Sequence, residues 1–254
     1  MKKQAWCLIL SLGLGLASCQ TTPPSDTQLP PPPTPETTLP SESDREAFAN
    51  DLMTKTIAAI NTGDADFLGS YLIHEPEIAR DFALAAIADY QTYFEGNPIE
   101  NYEYLGPDTL RPDTLKFKLM GGNISKEISV SFQQEKITIY DEFFSYSARS
   151  KNLLSRMIES LQQQDAAELA KVLTADDIDY PVTKAESAIA NYQKAVDPQT
   201  LTFEFIGFAD ASPNSPFVYR LSGTKDNQPI SHDVKVIYGD GLVGLQDDWI
   251  PALN

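Results

Sequence analysis

This chain carries only two histidines, His74 and His232, and two cysteines, Cys7 and Cys19, so its chemistry would rest mainly on carboxylates and tyrosines. His232 lies at the start of the stretch "HDVKVIY" and shares strand parity with Val234 and Val236, which points it to the apolar face, where the first half of the chain has Ile128. Asp141 shares parity with Ile139 and Phe143, and Asp247 with Leu245 and Trp249. A carboxylate turned into an apolar interior has a raised pKa and becomes an acid or base near neutrality. Tyr192, and its counterpart Tyr90, are placed to donate to a developing oxyanion. His232, Asp247 and Tyr192 together would suit a small hydrolase, dehydratase or isomerase. The competing reading keeps His232 wet at a strand start beside Pro229, and has Asp141 and Asp247 accept hydrogen bonds from a loop.

Other motifs exclude more than they suggest. His74 in "LIHEPE" stands beside Glu75 and Glu77 with no second histidine near, which fits a solvated loop better than a metal ligand. "TADDIDY" (174–180) lacks the spacing and glycine of a calcium loop. There is no Gly-rich phosphate loop and no His-Glu-x-x-His. No cofactor or metal is implied.

The elements that hold these residues occur twice. "AIADYQ" (86–91) recurs as "AIANYQ" (188–193), and "YEYLG" (102–106) as "FEFIG" (203–207). Leu52, Ile57, Asp64, Leu68 and Leu72 fall on Leu153, Ile158, Asp165, Leu169 and Leu173 at an offset of 101, and "DEF" (141–143) matches "DDW" (247–249). A period this long is domain-sized rather than that of a solenoid. The chain therefore reads as two copies of one small domain, 45–146 and 150–254, joined through "SYSARS" (145–150).

Each copy opens with an amphipathic helix: Phe48, Leu52, Ile57 and Ile60 in the first, Leu154, Ile158 and Leu161 in the second. Asp64 and Asp165 are positioned to cap a short second helix, the latter with Glu168 at capping-box spacing. A third helix carries the repeated hexapeptide, with Ala86, Ile87 and Tyr90 (Ala188, Ile189 and Tyr192) in the core. The period then changes to 2: Leu115/Phe117/Leu119 and Ile128/Val130/Phe132 in one copy, Phe217/Tyr219/Leu221 and Val234/Val236/Tyr238 in the other. One apolar and one polar face means an antiparallel sheet covered on one side. "YGDG" (238–241) reads as a hairpin turn. The fold class is α+β: two repeats, each of helices followed by a four-stranded antiparallel sheet. This order resembles the cystatin-like cone of the nuclear transport factor two-like superfamily, whose resemblance implies a curved sheet wrapped around helices and an interior pocket, but no catalytic motif of that superfamily is matched.

The amino-terminal residues set the location. Lys2 and Lys3, an apolar run from Ala5 to Leu16 and small residues after it have the layout of a signal peptide (1–18), too short for a membrane span of about 20 residues. "LASC" (16–19) resembles the lipobox of bacterial lipoproteins, which implies a thioether-linked diacylglycerol and an acyl chain, such as palmitate, on Cys19. Cys7 leaves with the signal, so no thiol remains for a disulfide or catalysis. Residues 19–44 are rich in Pro and Thr, without aromatics, and read as a disordered spacer reaching up to ~75 Å at about 3.1 Å per residue.

The net charge is −17, and removing Lys2 and Lys3 leaves −19. Such a surface repels nucleic acid, and the lipid rather than charge would hold the protein to a membrane. These features suggest an envelope lipoprotein that binds a small-molecule ligand or an envelope protein, or serves as a scaffold, with the two repeats packed as an intramolecular pseudo-dimer about a local two-fold, through a contact that is polar or avoids the sheet centres. Gln20 after Cys19, rather than Asp, favours an outer membrane, facing the periplasm or the cell surface, in a double-membraned cell. The alternative is an enzyme using the second repeat's pocket.

Overall fold

A computed structural model describes residues 40–133, 136–174, 179–212 and 214–252. The signal peptide, Cys19, the spacer up to residue 39 and most of the acidic "TADDIDY" stretch lie outside them. The first repeat comprises α1 (Arg45–Thr62), α2 (Ala65–Gly69), α3 (Pro76–Tyr93), β1 (Asn101–Pro107), β2 (Thr114–Gly121), β3 (Ile124–Gln133) and β4 (Lys136–Tyr140). The second comprises α4 (Glu142–Gln163), α5 (Ala166–Leu173), α6 (Val182–Ala195), β5 (Thr202–Phe208), β6 (Phe217–Lys225), β7 (Gln228–Gly239) and β8 (Leu242–Gln246). Each sheet is an antiparallel meander in chain order, β1-β2-β3-β4 and β5-β6-β7-β8. The fold is thus α+β, with two units of helices followed by a four-stranded antiparallel sheet.

Local chemistry explains these boundaries. The Asp64 carboxylate accepts the Phe67 N–H at 3.0 Å and Asp165 accepts the Glu168 N–H at 2.9 Å, which caps both short helices. The Glu168 side chain turns instead to Arg156 and Lys171, so the capping box is not reciprocal. The expected alternation holds: Phe117, Leu119, Ile128 and Val130 are buried, as are Tyr219, Leu221, Val234 and Val236. Asp240 and Gly241 both take positive φ (47° and 79°), the geometry of a tight β7–β8 hairpin. A bulge at Gly106 in β1 recurs at Gly207 in β5, with φ of 96° and 138°, and bends both sheets at the same place.

Two features differ from the sequence reading. Residues 145–150, expected as a connection, lie inside α4, a 22-residue helix that begins at the end of the first sheet and runs without a break into the second repeat. Ser147 and Ser150 continue its buried face where the apolar pattern lapses, and α4 packs along α3, which itself buries the small side chains of Ala83 and Ala86. The second difference concerns register. The β6–β7 hairpin is longer than β2–β3 by two residues in each strand. Phe117 pairs with Ile128 and Tyr219 with Val234, whereas Leu119 pairs with Lys126 and Leu221 with His232. The first-repeat counterpart of His232 is therefore Lys126, not Ile128.

One core runs through both repeats. The repeats meet through unlike, apolar surfaces. Phe143 lies against Phe205, Phe208 and Phe217 of the second sheet at centroid distances of 5.5, 5.4 and 5.7 Å. Tyr93 of α3 meets Phe208 at 5.5 Å. A local two-fold with polar contacts, as the sequence suggested, would instead bring the same face from each repeat.

Candidate functional site

The five candidate side chains fall into two equivalent clusters. In the first repeat, the inner helix α3 presents the Tyr90 hydroxyl to Asp141 Oδ2 at 2.5 Å, while Asp141 Oδ1 accepts the Phe144 N–H at 2.9 Å and so starts α4. In the second, Tyr192 of α6 donates to Asp247 Oδ2, and Asp247 Oδ1 accepts the Trp249 N–H at 2.8 Å. His232 from β7 adds its Nε2 to Asp247 Oδ1 at 2.7 Å and stacks flat on the Trp249 ring, 4.0 Å between centroids. In the equivalent position Lys126 sits over the Phe143 ring and pairs with Glu142. The repeated motif is thus a tyrosine, a carboxylate, an aromatic ring and a basic group.

The electrostatics follow from burial. Asp141 is raised to about 6, chiefly because burial penalises its charge, with Lys126 opposing the shift and Glu142 adding to it. Tyr90 and Tyr192 are held well above the usual phenol range by burial and then by the charge of their aspartates. The Asp247 side chain has no exposed surface, and that of His232 is 15% exposed. An imidazole held by a buried carboxylate is the arrangement of an oriented general base. However, both Asp247 oxygens already accept hydrogen bonds, and so do both of Asp141's. Phe143, on the first cluster, is sealed beneath the second repeat.

The interior of each unit is filled by side chains such as Phe117, Tyr90, Tyr192 and Tyr219. Open space lies at the rim instead, in a cleft between the last strand and the end of the second helix. Leu72, Ile139 and Phe144 line the first cleft, of about 260 Å³, and their counterparts Leu173, Leu245 and Ile250 line the second, of about 760 Å³. In the first repeat the Ile139 N–H donates to the Tyr71 carbonyl at 2.9 Å, which draws the two walls together. His74, read from sequence as a solvated loop residue, lines the first cleft and packs against Phe82, with ring centroids 3.8 Å apart. Its pKa is lowered, first by burial and then by the positive charges of Arg149 and Lys136.

Three residues escaped the sequence reading. Lys126 was hidden by the change of offset in the longer hairpin. Arg111, at the first cleft, lies in a loop with no periodicity to place it. Asp89 was legible in principle, because it is where "AIADYQ" and "AIANYQ" differ. It is buried against Lys151 of α4 at 2.8 Å, and burial raises its pKa, whereas Asn191 is exposed and donates to the Trp249 carbonyl at 3.0 Å. Among the described residues no three His, Cys, Asp or Glu side chains group to hold a metal ion, and no helix is long and apolar enough to cross a membrane. No family model, curated protein or solved structure matches this chain.

Proposed function

We propose that the chain is a lipid-anchored binding module of the bacterial cell envelope, built from two cystatin-like repeats and tethered through Cys19 by the Pro/Thr-rich spacer. It takes its ligands or protein partners at the rim clefts and has no catalytic role. The observation that carries this reading is the recurrence of the tyrosine–aspartate pair. In the first repeat the pair starts α4 next to a ring that no solvent reaches, so its job there is structural, and the second repeat keeps the same hydrogen bonds. The clefts, by contrast, differ in size and lining between the repeats, as expected of copies that have taken different ligands. In a double-membraned cell the module would sit at the outer membrane, in the periplasm or at the surface.

The test is native mass spectrometry on a chain starting at Thr37, purified without denaturation from its own host. A reproducible extra mass, lost on substitution of cleft residues, supports the reading. A clean mass together with no protein captured by crosslinking in the envelope counts against it. The oriented Asp247–His232 pair favours a second reading, a small dehydratase, isomerase or hydrolase. A His232→Lys variant, which installs the first repeat's residue, separates the two: an enzyme loses turnover, whereas a binding module keeps its ligand.

A further inference from the structure

The first cleft combines features absent from its twin. Arg111 and His74 line it together with Ser131, Thr138 and Tyr140, and the counterparts of the last three in the second cleft are Ile237, Gly244 and Gln246. No lysine or arginine lines the second cleft. The Tyr140 hydroxyl is buried and has no hydrogen-bond partner among the described residues, although the Arg111 guanidinium lies 5.3 Å from the centre of its ring. A buried donor without a partner costs about 1–3 kcal/mol, so its persistence points to a group that completes it.

The charge pattern points the same way. Among the described residues nine lysines and arginines meet a carboxylate. Eight do not, and three of these, Arg111, Lys136 and Arg149, come from the region of the first cleft, in a chain whose net charge is −17. Among the described residues Arg149 bonds the neutral Gly241 carbonyl, and the nearby Asp108 carboxylate is held by the backbone N–H groups of Leu110 and Arg111. Lys136 and Arg149 both act on His74, so their charges add to that of Arg111 at one small cleft. The opposite wall is apolar: Leu72, Ile73, Ile139 and Phe144.

We infer that the first cleft binds a small organic monocarboxylate, with its carboxylate on Arg111 and the Tyr140 hydroxyl and its short apolar chain against Leu72, Ile139 and Phe144. A planar guanidinium takes a carboxylate bidentately. An apolar wall disfavours a multiply charged ion, and about 260 Å³ restricts the ligand to a few carbons. This deepens the binding-module reading and rests on it.

The test uses hexanoate as the probe, with hexan-1-ol and inorganic phosphate as controls, followed by saturation-transfer NMR and calorimetry on the chain starting at Thr37. Hexanoate should bind about tenfold or more tightly than hexan-1-ol, since a charge-assisted contact is lost. Arg111→Gln should weaken hexanoate by a similar factor while circular dichroism and the melting temperature stay unchanged, because Arg111 is exposed and holds no carboxylate. Tyr140→Phe should weaken it by a smaller factor. The inference is overturned by equal binding of acid and alcohol, by an Arg111→Gln variant that binds normally, or by no binding up to about 10 mM. Displacement of hexanoate by equimolar phosphate would also overturn it, in favour of a general oxyanion site. A native ligand that substitution of second-cleft residues removes, with hexanoate inert, would leave the module reading standing without this one.

Discussion

Asp141 and Asp247 hold the same station with different help. Asp141 has two donors, the Tyr90 hydroxyl and the Phe144 N–H, whereas Asp247 has three, since His232 joins Tyr192 and the Trp249 N–H. Removing one donor therefore leaves Asp141 with one and Asp247 with two. Tyr90→Phe should cost about 2–3 kcal/mol and Tyr192→Phe about 1 kcal/mol, measured by urea unfolding. Equal costs would mean that His232 does not support its carboxylate. Asp141 also links stability to pH. Its folded pKa, about 6, lies above the ordinary 3.8, so between those values the folded protein keeps a proton that the unfolded chain has lost. Its contribution is full below about 4 and falls as pH rises to about 6. In Asp141→Asn, which keeps a carbonyl acceptor, that component disappears. The melting-temperature difference between wild type and variant should shrink across that window and stay level above it. Parity alone was enough to turn these aspartates inward, because a strand alternates faces regardless of the element it leads into. The direct tyrosine–aspartate bonds were not legible, because hydrogen bonds across more than fifty residues leave no trace in local spacing.

At the scale of elements, the two repeats share close approaches as well as bonds. Gly121 of β2 and Gly223 of β6 occupy equivalent positions where the strand passes under the preceding loop. A side-chain carbon on Gly121 would stand 2.5 Å from the Pro98 carbonyl oxygen, which is backbone and cannot move aside. On Gly223 it would meet the Val196 and Thr200 side chains at 2.7 and 2.9 Å, which can rotate. Gly121→Ala should thus destabilise by about 2–3 kcal/mol and Gly223→Ala by less, read from chemical denaturation midpoints. A second element-level contrast lies in the backbone just beyond each capping aspartate. The Ser145 N–H donates to the Asp141 carbonyl as the first helical bond of α4, at 3.1 Å. Its counterpart is Pro251, which has no N–H, and the chain makes only a turn there, with Ile250 bonded to the Asp247 carbonyl. That no helix starts after Asp247 as it does after Asp141 was therefore readable from one proline. The continuity of α4 was not, because Ser147 and Ser150 keep the helical spacing while breaking the apolar pattern on which a helix is recognised. The strands, with strict alternation, were the most legible part, and their exact pairing the least, since two added residues per strand moved every partner beyond the turn.

Taken as one body, the described residues form a compact unit that Phe143 helps to weld. This ring belongs to the first repeat by sequence yet is buried against Phe205, Phe208 and Phe217 of the second. Phe143→Ala should cost about 3–5 kcal/mol. Residues 40–146 alone should melt well below the intact unit, which should itself unfold in a single calorimetric transition. Two resolved transitions, or an isolated repeat as stable as the whole, would contradict a shared core. Asp89 on α3 is buried by the next helix, whereas Asn191 on α6 is exposed and donates to the carbonyl of Trp249, and the Tyr180 hydroxyl and Lys184 bond the carbonyls of Pro251 and Ala252 across the same region.

The unbroken α4 has one more effect. Near its start the Tyr146 ring stacks on Tyr238 of the second cleft at 4.7 Å, one residue beyond the Ser145 that lines the first, so a single helix ties the two rims together. A partner with two attachment points at matching spacing would find its second contact already in reach, while one with a different spacing would gain nothing from it. The molecule would then select by length as well as by chemistry, as a caliper does.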